Sequence, residues 1–267
     1  MVNNGKRNVL GINISVIDYE GAVAAIIQAA NEHRSLKVSA LAVHGVMTGA
    51  LDREHRWRLN GFDMVTPDGQ PVRWALNLLH KTSMKDRVYG PNLMLKVCEQ
   101  AAQKELPVFL YGSRPEVLEN LQARLRGKFP GLIIAGSRPS LFRRSTDAEK
   151  LTIAKEIRRS GARIILVGLG CPRQEVWVYE NADFLRIPAL AVGAAFDFHA
   201  GLLNKAPRVM QERGLEWLYR LSQEPKRLWR RYMLLNPAFL ALLFAQFTKL
   251  YSFADPGVEP KAPCNFT

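Results

Sequence analysis

ILVGLGCPRQEVW, residues 165–177, carries the pattern from which the fold can be read. Ile165, Leu166 and Val167 form a short apolar run of the kind that is buried as a strand. Gly168-Leu169-Gly170 breaks it. Pro172 stands where a helix can begin, because its missing N–H is one that the first helical turn leaves unbonded anyway. Strand, glycine turn and helix together make half of a βαβ unit. The same order recurs along the chain. Strands are expected at Val9–Ser15, Val38–Val43, Met64–Thr66, Val108–Gly112, Leu132–Ala135, Ile164–Gly168 and Ala189–Val192. Helical segments are expected at Tyr19–Glu32, Asn92–Lys104, Pro115–Lys128 and Asp147–Ser160. Strands separated by helices of this length predict an α/β fold with a Rossmann-like, mostly parallel sheet and flanking helices.

The pattern changes near Lys205. Strands cease, and Lys205–Tyr232 holds eight Lys/Arg against three Glu, interleaved with aromatic and leucine residues. We therefore expect a catalytic α/β domain over 1–204, a basic amphipathic helical appendage over 205–253 that associates with a membrane, and a flexible tail over 254–267. Pro225 should start a new helix. The run Met233–Phe247 is interrupted by Asn236-Pro237 and is too short to span a bilayer, so it should lie in the interface or pack as a core helix.

Totals narrow the function. The 267 residues carry 37 Lys+Arg against 24 Asp+Glu, a net +13 that favours anionic partners. Three cysteines, Cys98, Cys171 and Cys264, form no CxxC pair or metal-ligand cluster along the sequence, as suits a reducing compartment. The N-terminus lacks the apolar core of a signal peptide, which argues against secretion. The expected location is cytoplasmic.

In an open parallel sheet, ligands bind beyond the carboxyl ends of the strands. Four turns stand there. In VTPDGQPVRWA, residues 65–75, Asp68 either caps the following helix or serves as a general base. In the 165–177 stretch, Gly168 and Gly170 allow backbone N–H groups to approach a phosphate at a helix N-terminus. Gln174 and Glu175 follow them in the first helical turn, where Glu175 also suits the helix dipole. In AVGAAFDFHAG, residues 191–201, Asp197 and His199 close a strand; two residues are too few for a metal. FLYGS, residues 109–113, ends in Gly112. The third glycine of a dinucleotide fingerprint is replaced by Arg173, and no P-loop ending follows. An NAD-binding enzyme has the right sheet but not this turn. A nucleic-acid binder would be basic and aromatic, but leaves the apolar 233–247 run and the Asp68 turn unexplained. A non-catalytic membrane scaffold would tolerate loss of Asp68.

Taken in order, TPDG, YG at 89–90, LYGS, GLGCPRQE, VGAAFDFHAG and the long 205–232 segment resemble the WecG/TagA/CpsF bacterial glycosyltransferases, glycosyltransferase family 26. The resemblance implies an inverting, metal-independent transfer of a hexose or N-acetylhexosamine from a UDP-sugar to a polyprenyl-diphosphate-linked sugar. That reaction serves cell-wall or exopolysaccharide synthesis at the inner face of the bacterial cytoplasmic membrane. It implies no cofactor, no metal and no nucleic-acid partner, and leaves homo-oligomerisation open. Carried onto this chain, Asp68 becomes the base and Gln174 a second catalytic residue. Gly112, Gly168, Gly170 and Asp197 fall to the nucleotide and donor, and Arg220, Arg227 and Arg230 to the acceptor diphosphate. The chain departs from the family pattern twice. A usual T-x-N is Ala42-Val43-His44 here, and a usual G-x-D is Gly90-Pro91-Asn92. His44 and Asn92 are thus further pocket candidates, and the donor can be UDP-glucose as readily as UDP-N-acetylmannosamine.

Overall fold

The computed structural model describes residues 3–267. It opens with an antiparallel hairpin of β1 (Asn3–Val9) and β2 (Ile12–Ile17). A single strand was expected over Val9–Ser15, but Leu10 and Gly11 take φ of 52° and 88° and reverse the chain. Two consecutive positive φ values are what a two-residue turn needs to match the twist of its strands. The Asn8 side chain accepts the Gly11 N–H at 3.0 Å.

The main sheet has six strands: β3 (Leu36–Leu41), β4 (Met64–Pro67), β5 (Val108–Gly112), β6 (Ile134–Arg138), β7 (Ile164–Gly168) and β8 (Pro188–Ala191). Their order is β4-β3-β8-β7-β5-β6, and each pairing is parallel. After β4 at one edge the chain crosses to β5, adds β6 at the far edge, and returns through β7 and β8 to close against β3. β4, β5 and β8 are buried along their whole length, as strands covered on both faces must be.

The helices are α1 (Tyr19–Asn31), α2 (Val43–Leu51), α3 (Arg53–Asn60), α4 (Gln70–His80), α5 (Gly90–Gln103), α6 (Pro115–Lys128), α7 (Asp147–Arg159), α8 (Arg173–Leu185), α9 (Ala195–Ala200), α10 (Arg208–Glu212), α11 (Glu216–Gln223) and α12 (Pro225–Phe247). They cover the sheet in two layers. Val46, Leu59, Leu76, Ile153, Trp177 and Phe239 pack with Val65 and Val167 on one face. Ile26, Val97, Leu121 and Phe196 pack with Val108 and Leu190 on the other. The α/β expectation holds.

α12 starts at Pro225 as expected, yet it passes through Asn236-Pro237 as one helix of 23 residues. A proline inside a helix removes one backbone hydrogen bond. Burial offsets that loss: Phe239 is 1% exposed, and Leu235, Ala238, Leu242 and Leu243 pack on the sheet core. The appendage therefore shares the core of the α/β body. Its opposite face is bare, with Trp229, Met233, Leu240, Phe244 and Phe247 exposed. No helix among the described residues is long and apolar enough to cross a membrane.

A polar knot joins the two ends of the chain. Gln246 of α12 accepts the Leu10 N–H at 2.9 Å and donates to the Asn8 side chain at 3.1 Å. Residues 254–267, expected as a loose tail, are tied down instead. The Cys264 N–H donates to Glu180 at 2.7 Å, the Ser145 N–H to the Asn265 carbonyl at 2.8 Å, and the Val258 N–H to the Arg53 carbonyl at 3.1 Å. The segment lacks helix and strand periodicity, so its anchoring is invisible to pattern reading.

Candidate active site

Most of the turns read from the sequence meet in one cleft of about 910 Å³ above the carboxyl ends of β3, β4, β7 and β8, walled by α11 and the first half of α12. Asp68, His44, Gly168, Gly170, Gln174, Asp197, Arg220 and Arg227 all line it. Gly112, Asn92 and Arg230 lie outside the lining.

Asp68 follows β4 directly. It does not cap α4: the N-cap is Gly69, and no side chain bonds the helix end. The Asp68 Oδ1 instead accepts the Gly90 N–H at 2.5 Å. A Cβ on Gly90 would stand 3.2 Å from that oxygen and 3.1 Å from the Ala40 Cβ, so glycine permits the close approach. Burial raises the Asp68 pKa from 3.8 to about 6, against the opposing pull of the Arg87 guanidinium and the Gly90 N–H. A carboxylate poised there is a proton acceptor near neutral pH.

Arg87 escaped the sequence reading. Its guanidinium donates to the Asp68 carbonyl at 3.2 Å and to Glu216 of α11 at 2.7 Å, and lies 4.4 Å from the centroid of the Tyr89 ring. The signal was one arginine ahead of the noted Tyr89-Gly90, with nothing in its spacing to separate it from the chain's other arginines.

The glycine turn at β7 is shaped by contact. Gly112 and Gly168 are register partners on β5 and β7. Gly112 has a φ of 106°, and a Cβ there would stand 2.8 Å from the Gly168 backbone. Gly112 thus lets two strands approach, while the residues after it, Ser113 and Arg114, reach the cleft. Gln174 is 4% exposed; its Oε1 accepts the Gly170 N–H at 3.1 Å and its Nε2 donates to Glu175 at 2.8 Å. The side chain thereby closes the 168–175 turn on itself, leaving one amide hydrogen to spare.

Asp197 sits in α9 with its pKa raised by burial, facing Arg227, Arg114 and Arg220. His199 bonds the Pro91 carbonyl through Nε2 at 2.7 Å, and burial lowers its pKa to about 4. Burial, reinforced by Arg231, lowers that of His44 to about 3, so its ring is neutral.

The arginines that line the cleft are Arg87, Arg114, Arg213, Arg220, Arg227 and Arg231. Arg220, Arg227 and Arg231 share the inward face; Arg230 points outward over the Trp229 ring at 5.3 Å. Glu224 stands 2.5 Å from Arg227 and 3.8 Å from Arg220. The T-shaped contact of Trp217 and Tyr232, with centroids 5.7 Å apart, braces α11 on α12. Leu202, Leu203, Leu215, Trp217 and Leu240 give the same cleft an apolar lip. It can therefore receive a ligand that is anionic at one end and hydrocarbon at the other.

Absence of a metal-ligand cluster in the sequence does not carry into the fold. His55, Cys171 and Glu175 come together with one ligand atom each within 4.8 Å of one another.

A family model for the glycosyl transferases of the WecG/TagA/CpsF type matches residues 7–252, which takes in the sheet, the cleft and all of α12. With most of the motif residues that carried the resemblance gathered around one cleft, the chain belongs to the WecG/TagA/CpsF glycosyltransferase family.

Proposed function

We propose that this glycosyltransferase moves a hexose or N-acetylhexosamine from a UDP-sugar to a polyprenyl-diphosphate-linked sugar, inverting the anomeric centre. The observation that carries the reading is Asp68, a carboxylate with a pKa near neutrality at the floor of a cleft whose other wall bears arginines. Asp68 accepts the proton of the acceptor hydroxyl as that oxygen attacks the anomeric carbon. Charge grows on the departing diphosphate at the same time. Preorganised guanidinium groups of the cleft meet it without rearranging at the moment of reaction. Guanidinium groups match phosphate oxygens in pairs, so the arginines can take this role without a dissociable divalent ion.

Gln174 holds the turn on which the donor phosphates would rest. Asp197, set among Arg114, Arg220 and Arg227, spaces those cations for the nucleotide. Arg220, Arg227 and Arg231 lie on the side of the apolar lip, where the acceptor diphosphate and its first isoprene units would enter.

The protein would work as a peripheral enzyme at the inner face of the cytoplasmic membrane. Trp229, Met233, Leu240, Phe244 and Phe247 form an apolar stripe flanked by Lys226 and Arg230, and both properties suit an anionic leaflet.

The test is UDP release from a panel of UDP-sugars with a detergent-solubilised polyprenyl-diphosphate-sugar, with and without added Mg²⁺. Release with a single donor, UDP-glucose or UDP-N-acetylmannosamine, unchanged by Mg²⁺, is the expected result. No release with any pair would overturn the substrate assignment, and dependence on Mg²⁺ would overturn the arginine mechanism.

A further inference from the structure

At the inner end of the cleft, which Cys171 and Glu175 help to line, three residues far apart in sequence converge without a role in the proposed transfer. His55 comes from α3, Cys171 from the turn after β7, and Glu175 from the first turn of α8. One ligand atom of each lies within 4.8 Å of the others. His55 is 2% exposed and both of its ring nitrogens are buried without a hydrogen-bond partner. Glu175 is fully buried. Its Oε1 accepts from Ser39 at 3.1 Å and from Gln174 at 2.8 Å, while its Oε2 has no partner. The Cys171 thiol, which also bonds Thr48, is the group nearest that carboxylate. The imidazole lone pair is left unmet, and burying it so is costly unless something fills the space between the three groups.

We propose that His55, Cys171 and Glu175 bind a zinc ion that pins α3 to the glycine turn of the cleft. The donor set is imidazole nitrogen, thiolate sulfur and carboxylate oxygen. It suits zinc, and the thiolate and imidazole argue against magnesium and calcium, which take oxygen ligands. Charge also balances, because one thiolate and one carboxylate neutralise a dication in a place too dry to hold either anion alone. The Cys171 thiol gives up its proton to solvent as the sulfur–zinc bond forms, which makes binding weaker at low pH. Tetrahedral zinc with bonds of about 2.0–2.3 Å needs ligand atoms roughly 3.5 Å apart. The three groups must therefore close by about an ångström on binding. Water completes the fourth position. Ser39 and Gln174 already hold the Glu175 oxygen that faces away, the usual outer support of a metal ligand.

The one cation otherwise near the thiol is Arg231, whose field acts on Cys171. It offers nothing to an imidazole nitrogen that needs an electron-pair acceptor.

The ion is assigned no part in the transfer step itself. Its effect would pass through Glu175 to Gln174, and so to the turn that shapes the donor wall. The inference does not rest on the sugar-transfer reading, since its test needs no substrate.

The test is the metal content of the full chain after exposure to zinc and desalting, compared with Cys171→Ser. One zinc per wild-type chain, lost in the variant, is expected. Wild type loaded with Co²⁺ instead should show a near-ultraviolet thiolate-to-cobalt absorption band. Equal zinc in both proteins, or a cobalt complex without that band, would overturn the proposal. Should Cys171→Ser fail to give the wild-type circular dichroism, Ser39→Ala serves in its place. It leaves all three ligands and removes only the support of Glu175, and is expected to weaken zinc binding by about 10–100-fold. Unchanged affinity there would count against Glu175 as a ligand.

Discussion

Arg87 and Glu216 form an ion pair of 2.7 Å with both side chains nearly buried, at 8% and 13% exposure. It fastens α11 to the loop that also holds the backbone of Asp68. Removing one partner strands the other in a dry place, which typically costs on the order of 3 kcal/mol. Glu216→Ala should lower both the urea midpoint and kcat, and the double variant Glu216→Ala with Arg87→Met should recover stability but not turnover. If the double variant recovers neither, the pair is not the fastening.

Asp68→Asn should reduce kcat by about 10²–10⁴-fold with little change in UDP-sugar affinity. In wild type, log kcat/KM should fall with unit slope below about pH 6, where the carboxylate takes up its proton. Stability runs the other way. The folded pKa of about 6 lies above the ordinary 3.8, so folding favours the neutral acid. That contribution is complete below about pH 3.8 and lost as the pH rises through 6. Asp68→Asn should therefore be the more stable protein at pH 8, by up to about 3 kcal/mol, and show no advantage at pH 3.5. Chemical denaturation at the two pH values checks this.

Gly90→Ala tests the positioning of the base apart from its chemistry. The new methyl would press on the carboxylate oxygen and on Ala40, so kcat should fall while donor KM holds. Initial-rate kinetics with both substrates varied separates the two constants.

Glu224 stands against Arg227 and approaches Arg220, so its carboxylate competes with a diphosphate for those guanidinium groups. Glu224→Gln should lower KM for the anionic substrate that those arginines hold. Arg227→Ala and Arg231→Ala should raise it by tenfold or so, the worth of about 1.4 kcal/mol. Arg230→Ala, pointing outward, should leave both KM values within twofold and weaken vesicle binding instead. Equal effects of Arg230 and Arg231 would contradict the assignment of faces.

Deleting the last helix would tear Phe239 from the core and report on folding rather than on membranes. The informative change is Leu240, Phe244 and Phe247 to Ser, all three on the bare face. Flotation with anionic vesicles should lose the variant while its circular dichroism and melting temperature stay near wild type; retention would place the membrane surface elsewhere.

Much of this architecture is legible in the sequence because local and tertiary demands agree there. β5, β7 and α6 fall where apolar runs and Pro115 place them, since a strand buried on both faces has little freedom to be anything else. The mistakes share a cause. Leu10-Gly11 looks apolar, so a hairpin turn is read as strand. Pro237 looks like a break, but burial of its neighbours outweighs one lost hydrogen bond. Asp68 could be singled out because TPDG is local. Arg87, Arg114 and the His55–Cys171–Glu175 cluster were missed because their meaning arises from chain segments that meet only after folding. Arg230 and Arg231 differ by one position, and only the docked helix decides which of them turns inward.

The knot at Asn8, Leu10 and Gln246 sets an order on the birth of the protein. The first hairpin leaves the ribosome with its turn incomplete, and the glutamine that satisfies it is made 236 residues after Leu10. Until then the Leu10 N–H has no lasting partner, and the apolar bed of α12 stays open. Closing so long a loop is slow compared with local helix formation. A nascent chain stalled before α12 therefore leaves the apolar bed on α2 and α4 uncovered, a form that invites chaperones or aggregation.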